Sequence, residues 1–92
     1  MKPYIKQGVE CYPSRAVANH LQVGKRLGMQ TSGRNEMLKI LKQNRVFNEF
    51  CLPIGQYRCP RYFVIDETGR VPVAYFTAAG IDLTDSMIRS FE

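Results

Sequence analysis

The chain has 92 residues, enough for one hydrophobic core and too few for a TIM barrel, with little room for a dinucleotide-binding fold. Hydrophobic residues make up 45% and charged residues 23%, a balance that argues against intrinsic disorder, and no apolar run approaches the ~20 residues of a membrane span. Thirteen Lys and Arg against eight Asp and Glu give a net charge of +5, which admits an anionic partner. The expectation is a single domain over residues 1–92. In chain order, the start Met1-Lys2-Pro3-Tyr4-Ile5-Lys6 lacks the apolar stretch of a signal peptide, so a soluble, cytoplasmic protein is expected. Residues 1–13 are broken by Pro3, Gly8 and Pro13 and read as an arm or a short strand.

Ser14 is a candidate N-cap for a first helix, with Val17, Leu21, Gly24 and Leu27 at helical spacing. Gly24 weakens that pattern, and the segment reads equally as two short helices meeting near Gln22 and Val23, ending at Gly28. A short polar connection, Gln30-Thr31-Ser32-Gly33, leads to a second helix over residues 33–44. Met37, Leu38, Ile40 and Leu41 form its apolar stripe, and Asn35, Lys39, Lys42 and Gln43 fall on the far side. Glu36 suits the first turn.

After residue 46 the pattern turns to short strands and turns, through Pro53, Gly55 and Pro60. Arg61-Tyr62-Phe63-Val64-Ile65 and Arg70-Val71-Pro72-Val73-Ala74-Tyr75-Phe76, separated by Asp66-Glu67-Thr68-Gly69, read as a β-hairpin. Pro72 confines the second strand to an edge or a bulge. Residues 77–91 read as a terminal helix burying Ile81, Met87, Ile88 and Phe91, with Thr77 or Thr84 as cap and Gly80 and Asp82 as a point of division. Helix, short turn, helix, hairpin, helix describes an α+β winged helix-turn-helix, with a basic second helix and the hairpin as wing.

Charge is unevenly placed. Residues 1–46 carry nine basic groups and two acids, net +7, whereas residues 47–92 carry four Arg and six acids, net −2. The second helix begins Gly33-Arg34-Asn35-Glu36. Arg bonds guanine and Asn bonds adenine bidentately, so Arg34 and Asn35 are candidate base readers; they are equally suited to capping and bracing the turn. Lys39, Lys42 and Gln43 would face the groove, and Lys25, Arg26 and Arg45 would hold phosphates. Arg58, Arg61 and Arg70 flank the hairpin as further phosphate contacts, although the Asp66-Glu67 tip would be repelled by a phosphate backbone. Tyr57, Tyr62, Phe63, Tyr75 and Phe76, interleaved with Arg, fit a stacking platform for single strands but fit core filling better.

Catalysis has little support. His20 is the lone histidine, no Walker or Rossmann glycine pattern is present, and no carboxylate pair stands out. Cys11, Cys51 and Cys59 form neither an even disulfide set nor a zinc pattern, and read as small apolar residues in a reducing compartment. No catalytic residue, cofactor or metal is expected.

Val23-Gly24-Lys25-Arg26-Leu27-Gly28-Met29, then Gly33-Arg34-Asn35-Glu36-Met37-Leu38-Lys39-Ile40-Leu41-Lys42, resembles the KilA C-terminal (KilAC) domain of phage antirepressor proteins. So do Pro53, Tyr57 and Tyr62-Phe63-Val64-Ile65, and the later Thr77-Ala78-Ala79-Gly80-Ile81. The resemblance covers roughly residues 21–83, and its sharpest element is Gly33-Arg34-Asn35. It implies a winged helix, a role in phage or mobile-element gene regulation, and Arg34 and Asn35 as the matching family positions. The expected function is binding of double-stranded DNA in transcriptional control. The alternative is a protein-interaction module that seizes a repressor without touching DNA. A homodimer through Met87, Ile88 and Phe91 is a candidate assembly, against packing of that helix on its own core.

Overall fold

The computed structural model describes residues 1–92 as an α+β domain of four helices and two antiparallel hairpins. The first hairpin pairs β1 (Tyr4–Lys6) with β2 (Val9–Cys11). Gln7 and Gly8 form its two-residue turn with φ of 54° and 76°. Positive φ at both positions is the turn whose twist suits a hairpin. The arm expected over residues 1–13 is therefore a hairpin. It escapes the sequence because each strand is three residues long and Gln-Gly stands where Asn-Gly would announce the turn.

Helix α1 (Ser14–His20) follows with Pro13, not Ser14, as its N-cap. It stops where Gln22 takes φ 54°, and α2 (Val23–Arg26) starts there. The split near Gln22 matches the two-helix reading. Gly24 is required at this point by close approach. The connection from α2 folds back over it, with the Gly24 N–H donating to the Ser32 carbonyl at 3.0 Å. A Cβ on Gly24 would lie 1.8 Å from the Thr31 oxygen. That connection spans residues 27–33, longer than the expected short turn. It ends at Gly33, whose φ of 80° caps α3 (Arg34–Gln43) through its backbone conformation rather than a side chain.

A 3-10 turn (Gly55–Tyr57) leads to the second hairpin, β3 (Phe63–Asp66) with β4 (Val73–Phe76). The ladder ends at Asp66↔Val73, so Pro72 lies in the connecting loop, where a missing N–H costs nothing. Thr77 caps α4 (Ala78–Phe91) by accepting from the Gly80 N–H at 3.2 Å. α4 is one undivided helix. Gly80 does not break it, because a Cβ there would meet the Tyr62 oxygen at 2.1 Å; the glycine lets the helix sit against β3.

Helices cover the front of the β3–β4 hairpin. Phe63 and Phe76 meet edge to face with Phe47, with ring centroids 5.0–5.9 Å apart, among Met37, Ile40, Leu41 and Ile88. The first hairpin covers the back. It enters beside β4, where Tyr12 and Phe76 exchange two backbone bonds of 2.8 Å, and crosses to β3, where the Gln7 amide reaches the Ile65 carbonyl at 3.0 Å. The Tyr4 and Tyr75 rings meet there at 5.7 Å, and Lys6 bonds Asp66 at 2.9 Å. Cys11 is buried in this layer, and desolvation pushes its thiol pKa up, as befits an inert apolar filler. The radius of gyration, 12.3 Å, is that of one close-packed body of this length, about 12 Å. No helix is long and apolar enough to cross a membrane.

Candidate nucleic-acid interface

Helix α3 anchors the site. Its buried residues are Met37, Leu38, Ile40 and Leu41, the stripe expected from the sequence. Four neighbouring side chains fixed in the core hold the helix at one rotation about its axis. Asn35, Lys39, Lys42 and Gln43 are all exposed. At about 100° per residue they fan over an arc of about 100°, centred opposite the buried stripe. Two ammonium groups and two side-chain amides thus share one face.

Arg34 does not belong to that face. It lies on the core-side arc, at the helix start, and its Nε donates to Ser14 Oγ on α1 at 2.8 Å. A longer bond, 3.4 Å, joins its guanidinium to Asn35 Oδ1. Through the Ser14 bond Arg34 braces the starts of α1 and α3 together. Asn35 remains exposed beside it.

The end of α3 has its own geometry. The Val46 N–H donates to the Leu41 carbonyl at 2.9 Å, and the Arg45 N–H to the Lys42 carbonyl at 3.1 Å. This is a Schellman closure, in which the position after the C-cap is left-handed and usually glycine. Here it is Arg45, with φ 58°. The strained backbone presents an exposed guanidinium three residues after Lys42.

Charge pairing decides which cations are free. The four ion pairs are Lys6–Asp66, Arg26–Asp85, Arg26–Glu92 and Arg89–Asp85. None involves Lys25, Lys39, Lys42 or Arg45. Arg26, expected as a phosphate contact, is instead ion-paired within the fold. Asp85 at 2.7 Å and Glu92 at 2.5 Å, both on or just after α4, bind its guanidinium and tie α2 to α4. Lys25, one residue earlier, is exposed and unpaired.

The hairpin arginines are dispersed. Arg58 and Arg61 precede β3, and Arg61 lies over the Tyr62 ring at 5.6 Å. Arg70 alone is on the β3–β4 loop. At the start of that loop the Asp66 carboxylate accepts from the Thr68 hydroxyl at 2.7 Å and N–H at 3.0 Å, and from Lys6. These bonds, led by the Thr68 hydroxyl, hold its pKa well below the ordinary carboxylate range. The stacking reading loses Phe63 and Phe76, which are 2% and 0% exposed. The proposed dimer surface loses Ile88, which is fully buried; Phe91 is 54% exposed.

No family model, curated protein or solved structure matches the chain.

Proposed function

We propose that this chain is a double-stranded DNA-binding domain of winged-helix type, with α3 as the element that enters the major groove. The observation that carries the reading is the outer face of α3. It presents Asn35, Lys39, Lys42 and Gln43 with no carboxylate paired to either lysine. A solvated helix face on an ordinary domain usually mixes signs, whereas a phosphate-facing one needs unpaired cations.

In this arrangement Asn35 reads a base edge near the helix start, where the side chains of a groove-bound helix reach furthest. Lys25, Lys39, Lys42 and Arg45 hold phosphates. The Arg34 N–H donates to Ser32 Oγ at 3.4 Å, and the remaining N–H groups of the first turn, with no side-chain cap at Gly33, add a further anion contact. The β3–β4 loop, which carries Arg70 and Glu67, is the wing. The KilAC resemblance points the same way, toward transcriptional control of phage or mobile-element type.

The test is fluorescence anisotropy on a labelled random duplex over a range of salt, with the K39E/K42E variant alongside. Four engaged phosphates give a log–log slope of about −3.6 for the unaltered chain. The variant should lose most binding at low salt while keeping its circular dichroism spectrum. A chain that binds no duplex at low salt, or whose binding ignores the double substitution, overturns the reading.

A further inference from the structure

A second surface, independent of α3, lies along the outer edge of β3. The Thr77 N–H donates to the Tyr62 carbonyl at 3.0 Å. Antiparallel ladders alternate, so Val64 and Asp66 bond to β4, while Phe63 and Ile65 direct their backbone groups away from it. On β4 the matching outward groups of Phe76 are satisfied by Tyr12. On β3 two of four are satisfied. The Phe63 N–H donates to the Cys59 carbonyl at 3.1 Å, and the Ile65 carbonyl accepts from the Gln7 side chain at 3.0 Å. The Phe63 carbonyl and the Ile65 N–H have no protein partner.

Phe63 and Ile65 line a groove of about 690 Å³. Ile5 and Gln7 of the first hairpin form one wall, and Pro53 and Pro60 the other. Arg58 stands at the end where β3 begins and Glu67 where it ends; neither is ion-paired.

We infer that this groove takes an extended peptide segment of a protein partner, added as a parallel strand beside β3. The free groups choose both the occupant and its direction. A carbonyl and an N–H two residues apart on one strand are what a single residue of a parallel neighbour bonds, through its own N–H and C=O. An antiparallel neighbour reaches the same two groups only from two of its residues, and the reciprocal bond that completes each pair is already taken, at the Phe63 N–H by Cys59 and at the Ile65 carbonyl by Gln7; a parallel neighbour leaves no such half-made pair at its central residue. Direction then fixes charge. The peptide's N-terminal end meets Arg58 and favours an acidic residue; its C-terminal end meets Glu67 and favours a basic one. Apolar side chains between them rest on Ile5, Pro53 and Pro60.

Gln7 acts as a placeholder on this edge. Its amide occupies the Ile65 carbonyl, the next acceptor a parallel peptide would use. The Gln7→Asn substitution removes one methylene, so the amide no longer reaches, and it installs Asn-Gly, a favoured pair for the turn. The hairpin is kept and the acceptor is released.

The experiment follows backbone amide shifts of the full chain during titration with acetyl-Glu-Val-Thr-Val-Lys-amide. A reversed-charge peptide and one N-methylated at its three central amides serve as comparisons. The expected result is a saturating shift and slowed exchange of the Ile65 N–H, absent with the methylated peptide and weaker with the reversed one. Gln7→Asn should tighten binding roughly two- to tenfold, the worth of one released hydrogen-bonding group. K39E/K42E should leave the response unchanged, which separates this site from duplex binding. No Ile65 shift at about 5 mM peptide, a response to the methylated peptide, or weaker binding by Gln7→Asn overturns the assignment. Preference for the reversed peptide overturns the parallel direction.

Discussion

Arg45 joins stability to function most directly. A non-glycine residue in the left-handed region is strained by roughly 1–2 kcal/mol, and glycine there recovers most of this less its own entropy cost of about 0.5–1 kcal/mol. Arg45→Gly should therefore stabilise the fold by roughly 0.5–1 kcal/mol, read as a rise in the denaturant midpoint at constant m. The same change removes one of four proposed phosphate contacts, so the duplex salt slope should fall by about 0.9. A variant that is more stable yet binds as before would show that Arg45 has no part in the interface. Arg26 is the contrasting case. Both are arginines near helix ends, but the carboxylates that claim Arg26 lie 59 and 66 positions away in sequence. Nothing local in the sequence distinguishes a claimed cation from a free one.

Among the elements, length and periodicity decide what could be read in advance. The ten-residue α3 and fourteen-residue α4 carry enough turns for a 3.6-residue period to show, and β3 and β4 carry β-branched and aromatic runs. The three-residue strands of the first hairpin carry too few positions for any period. The outward face of α3 was legible for the same reason as its buried stripe. Arg34 was not, because its direction depends on α1 lying beside it. Helix propensity marks Gly24 as a weak point, whereas the folded chain needs it there. Gly24→Ala should cost roughly 2–4 kcal/mol or prevent folding, since the Thr31 carbonyl stands where the methyl must go and backbone cannot step aside cheaply. Gly28→Ala, with open space around it but φ 71°, should cost only about 1 kcal/mol. Chemical denaturation of the two variants separates steric from conformational need; equal losses would mean that the α2–α3 crossing is looser than its hydrogen bonds indicate.

For the whole molecule, size sets how copies would share a duplex under the proposed function. The chain measures 35 × 28 × 24 Å. Its α3 is about 15 Å long, enough to fill one major-groove crossing and no more. Successive crossings on one face of B-DNA recur every 34–36 Å, or about 10 base pairs. Since the longest axis is about equal to that repeat, neighbouring copies can occupy consecutive turns without overlap and without a dedicated dimer surface, consistent with the burial of Ile88. Saturating titrations at low salt should therefore give about one, two and three chains on duplexes of about 10, 20 and 30 base pairs. The three stoichiometries should rise in step, with affinities per site within a few-fold of one another. Steep cooperativity, or one chain on the 20-base-pair duplex, would instead mean that the bound unit is larger than this domain, and would send attention to the exposed Phe91 as a contact between copies.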